Sequence, residues 1–145
     1  MKMHLAADHA GFAHKEAVKK YLTEQGVEVI DHGAMTSDPL DDYPDFMLPA
    51  AQAVALSDGV DAGIIFGGSG EGEAMVANRV PGVRAVAYYG GPTDILTLSR
   101  AEDNANILSI GARFVTIEET LQAIAIWSEI PFAQDERDIR RLSKF

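Results

Sequence analysis

Two kinds of segment alternate along this chain: short apolar runs and longer stretches with helical spacing of apolar positions. The first run, Met3 to Ala7, predicts a strand, and Asp8-His9-Ala10-Gly11 its C-terminal loop. From His14 to Gln25 the apolar residues Ala17, Val18, Tyr21 and Leu22 recur at i, i+1, i+4 and i+5. That spacing predicts a helix, stopped by Gly26. Val27 to Ile30 predicts a second strand, and Asp31 to Pro44 is a loop rich in Asp, Gly and Pro. A helix is expected from Asp45 to Leu56, a strand over Gly63 to Phe66, and a helix over Glu73 to Arg79. Val83 to Tyr89 predicts the fourth strand, and Gly90-Gly91-Pro92-Thr93 opens the next helix, with Pro near its first turn. Asn106 to Ile110 predicts the fifth strand. Thr116 to Ile126 predicts a helix with Thr116 as N-cap and Glu119 completing a capping box, and Ala133 to Ser143 a last helix.

Strands that alternate with helices at short spacing predict an α/β fold with a parallel sheet. At 145 residues the chain is expected to form one domain, 1–145. Ligands of such sheets sit outside the carboxyl ends of the strands. That rule gathers Asp8 and His9, Gly67 to Glu73, Tyr88 to Pro92, and Gly111 to Arg113 as candidates for one site.

The stretch after the third predicted strand carries the most information. Gly67-Gly-Ser-Gly-Glu-Gly72 places four glycines in six residues at a helix N-terminus. Backbone N–H groups left free there, with the helix dipole behind them, hold an anion. A tight turn needing positive φ explains part of this composition, but one turn does not require four glycines. The spacing fits neither a dinucleotide fingerprint, which needs G-x-G-x-x-G, nor a P-loop, which needs Gly-Lys-Ser/Thr. No lysine lies between Lys20 and Lys144. Ser69, Glu71, Glu73 and the backbone donors suit a small oxyanion and a proton-transfer base.

Charge narrows the partners. Twelve Lys and Arg against 22 Asp and Glu give −10, which argues against nucleic acid. No apolar run approaches a membrane span, and no signal peptide is evident, so a cytoplasmic location is the expectation. With no cysteine there is no disulfide and no thiolate. Against this acidic background Arg137, Arg140, Arg141 and Lys144 line one face of the last predicted helix, at i, i+3, i+4 and i+7. Such a stripe suits a phosphate, because arginine forks bind it bidentately; a solvated terminal helix would look the same.

Several segments in colinear order resemble one family: Ala7-Asp-His-Ala-Gly-Phe12 with Lys15, Asp42-Tyr-Pro44, Gly67 to Glu73, Ala77-Asn-Arg-Val-Pro-Gly-Val-Arg-Ala85, and Ile110-Gly-Ala-Arg113. They are similar to the ribose-5-phosphate isomerase B / galactose-6-phosphate isomerase family. The resemblance implies a Rossmann-like αβα sandwich with a five-stranded parallel sheet, and a homodimer. It implies aldose–ketose isomerisation of a sugar phosphate through a cis-enediolate, with no metal and no other cofactor. One branch of the family has a cysteine base where this chain has Gly67, and the other a glutamate where it has Glu73. The absence of cysteine assigns Glu73 as base. By the same resemblance Ser69 bonds a substrate oxygen, and Gly68, Gly70 and Gly72 form the anion hole. Asp8 and Tyr43 contact the sugar, and His9 and Arg113 the phosphate. Arg137 and Arg141 reach in from the other subunit.

One departure stands out. Pentose isomerases of the family usually carry Arg-Glu-His-Asn before the fifth strand, the histidine opening the furanose ring. Here Glu102 stands at the histidine position and Asp103 at that of the asparagine. Two expectations follow. Either Glu102 takes over ring opening, Asp103 contacts substrate and ribose 5-phosphate is retained, or the substrate is a tetrose 4-phosphate, which cannot close a furanose. A non-catalytic sugar-phosphate binding protein is the alternative of another class.

Overall fold

The computed structural model describes all of residues 1–145. Five strands, β1 (Lys2–Ala7), β2 (Glu28–Asp31), β3 (Ala62–Gly67), β4 (Ala85–Tyr88) and β5 (Ile107–Gly111), form one sheet of order β2-β1-β3-β5-β4. Every pairing is parallel. Six helices connect and follow them: α1 (Phe12–Glu24), α2 (Pro44–Leu56), α3 (Glu71–Ala77), α4 (Asp94–Ala101), α5 (Ile117–Glu129) and α6 (Glu136–Leu142). The expected αβα sandwich is the observed one.

Parallel strands covered on both faces read as continuous apolar runs, and their alternation appears only in the packing. Leu5, Ala7, Ile64, Phe66, Leu108 and Ile110 face one layer with Val18 and Leu22 of α1, Leu96 of α4, and Ile124 and Trp127 of α5. Ala6, Ile65 and Ile107 face the other, against Met47, Ala50, Ala51 and Val54 of α2 and Ala74 and Ala77 of α3. Each fully buried Leu, Ile or Phe contributes about 1.5–3 kcal/mol. Lys15, wholly buried in α1, places its Nζ 2.7 and 2.8 Å from the two oxygens of Asp31, which joins α1 to the end of β2. The capping box of α5 is present: Glu119 N–H donates to Thr116 Oγ1 at 3.1 Å, and Thr116 N–H to Glu119 Oε2 at 2.7 Å.

Several boundaries differ from the sequence reading. α3 begins at Glu71, because left-handed Gly70 (φ 79°) ends the loop there. β4 begins at Ala85, because Val83 is still in a turn on Val80 and Arg84 N–H bonds the Asn106 side chain. α6 starts at Glu136, since Ala133 N–H is held by Ala101 O at the end of α4.

The strand order fixes where a ligand can sit. From β1 the chain moves to β2 on one side, and β3 lies on the other, so the loops after β1 and β3 diverge and leave a crevice between them.

Candidate active site

The crevice at the β1/β3 switch is a cleft of about 320 Å³. The loop after β1 contributes Asp8, and the glycine loop contributes Gly68, Ser69 and Gly72. Glu73 enters from the first turn of α3, Tyr43 from the start of α2, and Arg113 with Phe114 from the loop after β5.

Glu73 is the residue with the most unusual surroundings. It is 4 % exposed, and its Oε2 has no hydrogen-bond partner. Burial pushes its carboxyl above the ordinary glutamate range, and the Asp8 charge adds to this. Backbone N–H groups of Glu73 and Gly70, and the Arg113 charge, oppose it. The slot for this carboxylate exists because residue 67 has no side chain: a Cβ there would lie 1.8 Å from Glu73 Oε1. Glu71, two positions earlier and therefore on another face of α3, is exposed.

The glycine loop is braced from behind. Ala112 N–H donates to Gly67 O at 2.9 Å and Arg113 N–H to Gly68 O at 3.1 Å. The buried Ser109 hydroxyl donates to Gly70 O at 2.6 Å. These bonds occupy the loop carbonyls, and the N–H groups of Ser69 and Gly72 donate to no protein acceptor. Ser69 Oγ accepts from Glu71 N–H at 3.2 Å, so its own O–H remains free to donate. Gly72 lies against the Tyr43 hydroxyl, which a Cβ would approach to 2.9 Å.

Asp8 is 6 % exposed, and its Oδ1 accepts from the N–H groups of Ala10 and Gly11 at 2.9 and 3.0 Å. That turn holds the carboxylate at the edge of the cleft. His9, half-buried, bonds through Nδ1 to Asp41 Oδ1 at 2.6 Å. This bond raises its pKa, with smaller support from the Asp8 and Asp41 charges, against burial and Arg113.

Of the sequence-selected residues, Gly70, Glu102, Asp103, Arg137 and Arg141 do not line this cleft. Glu102 and Asp103 precede β5, whereas Arg113 follows it, so the length of the strand, roughly 3.3 Å per residue, separates them. Asp103 borders a different cavity, with Val83, Arg84 and Phe145. Arg137 and Arg141 lie on α6, exposed, near that same end of the sheet, where Leu142 and Phe145 approach Gly82 and Arg84. Gly70 is buried against β5 and does not line the cleft. Asp8, His9, Tyr43, Gly68, Ser69, Gly72, Glu73 and Arg113 do come together.

Sequence reasoning missed Phe114, Asp41 and Asp138. Asp138 is 2 % exposed, and its Oδ1 accepts from Arg137 Nε at 3.2 Å and Arg141 at 3.3 Å. The one available signal was its place between the two arginines on a helix. His14 and Lys15 were near the motif, but Lys15 is a core ion pair and His14 bonds Val115 O.

Fold and site together define a doubly wound α/β protein with a cleft formed by a glycine loop and a buried, unpartnered carboxylate. The model of one family, Ribose/Galactose Isomerase, matches residues 3–145, and this chain belongs to that family. Ribose-5-phosphate isomerase B of Mycobacterium tuberculosis (strain CDC 1551 / Oshkosh) is 37% identical over 142 residues, 98% of this chain and 86% of that protein. The Escherichia coli (strain K12) protein of that name is 36% identical over 126 residues, 87% of this chain and 82% of its own. A crystal structure of the Mycoplasma genitalium ribose-5-phosphate isomerase B with bound ribulose-5-phosphate superposes with a TM-score of 0.93 at 34% identity, covering 99% of this chain and 92% of that one.

Proposed function

We propose that this protein interconverts D-ribose 5-phosphate and D-ribulose 5-phosphate, with the whole chain acting as one isomerase domain. The observation that carries the mechanism is the Glu73 carboxylate: buried, unpartnered, raised in pKa, and lining the cleft beside free backbone donors. The relatives' shared name and the structure with ribulose-5-phosphate support the choice of substrate.

Glu73 takes the proton from C2 of the open-chain aldose and returns it to C1. The intermediate is a cis-enediolate, whose oxygen charge falls to the N–H groups of the glycine loop. Ser69, with a free O–H, relays the hydroxyl proton between O2 and O1. A carboxylate whose pKa a poorly solvated site raises toward the working pH suits this exchange better than a solvated one. None of these steps calls for a metal or another cofactor.

The phosphate needs cations. Arg113 and His9 supply them from this chain, and Arg137 and Arg141 from a second copy in a homodimer. The position of α6 at the far end of the sheet supports this: these guanidiniums reach such a cleft only across an interface. Glu102 and Asp103 share that end, so they join a site by the same route, Glu102 as the ring-opening acid/base and Asp103 as a contact to substrate oxygens. On this reading the enzyme works in the cytoplasm; no helix is long and apolar enough to cross a membrane.

The test is isomerisation kinetics of the purified protein in EDTA, on ribose 5-phosphate and erythrose 4-phosphate side by side. A kcat/KM that favours the pentose supports the proposal. Preference for the tetrose, which no relative's name supports, would overturn the substrate. No turnover on either would overturn the activity and leave a binding protein.

A further inference from the structure

The chemistry above gives Asp41 no role, yet its side chain is 9 % exposed, its Oδ2 has no partner, and its Oδ1 lies 2.6 Å from His9 Nδ1. The two residues come from separate loops, His9 after β1 and Asp41 before α2. A carboxylate taken this far out of water keeps its charge at low cost only when a proton donor stays bound to it. Three charged groups face the His9 ring: Asp8 from its own loop, Asp41 from the loop before α2, and Arg113 from the loop after β5. Two are negative and one positive, so the balance favours the imidazolium.

We propose that Asp41 is a positioning residue, which fixes the His9 ring with Nδ1–H toward its carboxylate, keeps the ring cationic, and presents Nε2–H beside Arg113 as a second donor to the substrate phosphate. This rests on the reading of His9 and Arg113 as phosphate ligands. A phosphate monoester carries close to two negative charges near neutral pH. An imidazolium and a guanidinium together match it; a neutral imidazole does not. The same hydrogen bond has a second effect. Asp41 lies two residues before Tyr43, which lines the cleft, so the bond ties the loop that carries Tyr43 to the loop that carries Asp8.

Asp8, His9 and Asp41 also place ligand atoms within 4.8 Å of one another, a spacing open to a divalent cation. A 2.6 Å separation between His9 and Asp41 is that of a shared proton. Two atoms bound to one tetrahedral zinc would stand roughly 3.3 Å apart.

The experiment uses the full chain, with Asp41→Asn as the principal variant, since asparagine keeps the acceptor and removes the charge. Asp41→Ala and His9→Ala accompany it. KM and kcat for ribose 5-phosphate are followed against pH in EDTA, and inorganic phosphate serves as competitive inhibitor. Long-range ¹⁵N NMR of the His9 ring reads its protonation directly. For Asp41→Asn we expect KM, and the inhibition constant of phosphate, to rise about tenfold at pH 8 with kcat within about twofold. The rise in KM should set in near pH 6.5, roughly the unperturbed histidine value, and at higher pH in wild type. At a given pH the doubly protonated fraction of the His9 ring should be larger in wild type than in the variant. An unchanged KM profile with unchanged ring protonation would overturn the proposal, as would loss of kcat at constant KM. Activity abolished by EDTA and restored by a divalent cation would overturn it by making the cluster an ion site. If His9→Ala leaves KM and phosphate inhibition unchanged, the phosphate reading itself fails; if only Asp41→Asn is silent, the positioning role alone fails.

Discussion

Gly67→Ala isolates the placement of the base from its chemistry. The backbone at Gly67 is outside the left-handed region, so alanine is conformationally acceptable there. The added Cβ would lie 1.8 Å from Glu73 Oε1, 2.0 Å from Cδ and 2.7 Å from Cγ. An ordinary contact is roughly 3.5 Å, so the carboxylate must retreat by about 1.7 Å. The obstacle is the far end of one side chain rather than backbone, so it moves at small cost in folding. Stability should change by less than about 1 kcal/mol. Catalysis should not tolerate the shift: a displacement of 1 Å can cost about 100-fold, and kcat should fall by at least that much. The displaced carboxylate gains solvent, so its pKa returns toward the ordinary range and the acid limb of kcat/KM moves down. The assay is ultraviolet detection of ketose formation across pH, with thermal denaturation in parallel. A kcat within about threefold of wild type, with the fold intact, would refute the view that this slot positions the base.

Other outcomes follow from the same geometry. Glu73→Gln should lower kcat by about 10²–10⁴-fold while ribulose 5-phosphate still binds, measured by single-turnover kinetics and titration calorimetry. It should also raise Tm at neutral pH. The Glu73 pKa is higher in the folded state than unfolded, so the native protein binds more protons across that window and stability falls as pH rises through it. Glutamine removes this loss, and the gap in Tm should close below about pH 4. Gly70→Ala contrasts with Gly67→Ala: φ is 79°, and the Cβ meets backbone of Ser109, Ile110 and Gly111 at 3.0–3.1 Å, so denaturation should show loss of stability together with activity. Arg137→Ala with Arg141→Ala should raise KM about 10–100-fold with a smaller effect on kcat. Mixing that chain with Glu73→Gln chains should restore about a quarter of wild-type activity, if two-fold dimers exchange freely and each site draws on both copies. No recovery on mixing would count against the cross-subunit arginines.

The order of elements and the site's loop were legible because their signals are local. Apolar runs, helical spacing, the Thr116–Glu119 box and four glycines before an acidic turn are all properties of neighbouring residues. Boundaries moved where a distant group decided them. β4 waits for Ala85 because the Asn78 side chain pairs with Ala85 on one side and Asn106 with Arg84 on the other. No sequence pattern links position 78 to 85 or 84 to 106.

The sequence by itself determined an α/β chain with a glycine-rich loop before an acidic helix turn and a cationic terminal helix in an acidic protein. The tertiary structure decided which of these meet. The order β2-β1-β3-β5-β4 opens a crevice where Asp8, Glu73 and Arg113 converge, although 65 residues separate the first two in number. Helix rotation buried Glu73 and exposed Glu71, a distinction the loop sequence does not carry. Packing brought Asp41 to His9 and set Asp138 beneath Arg137 and Arg141. Strand direction put Glu102, Asp103 and α6 at the opposite end of the sheet from the cleft. The reason is general: local preferences act over a turn or two of chain, whereas the meeting of loops depends on the crossover and pairing of whole strands.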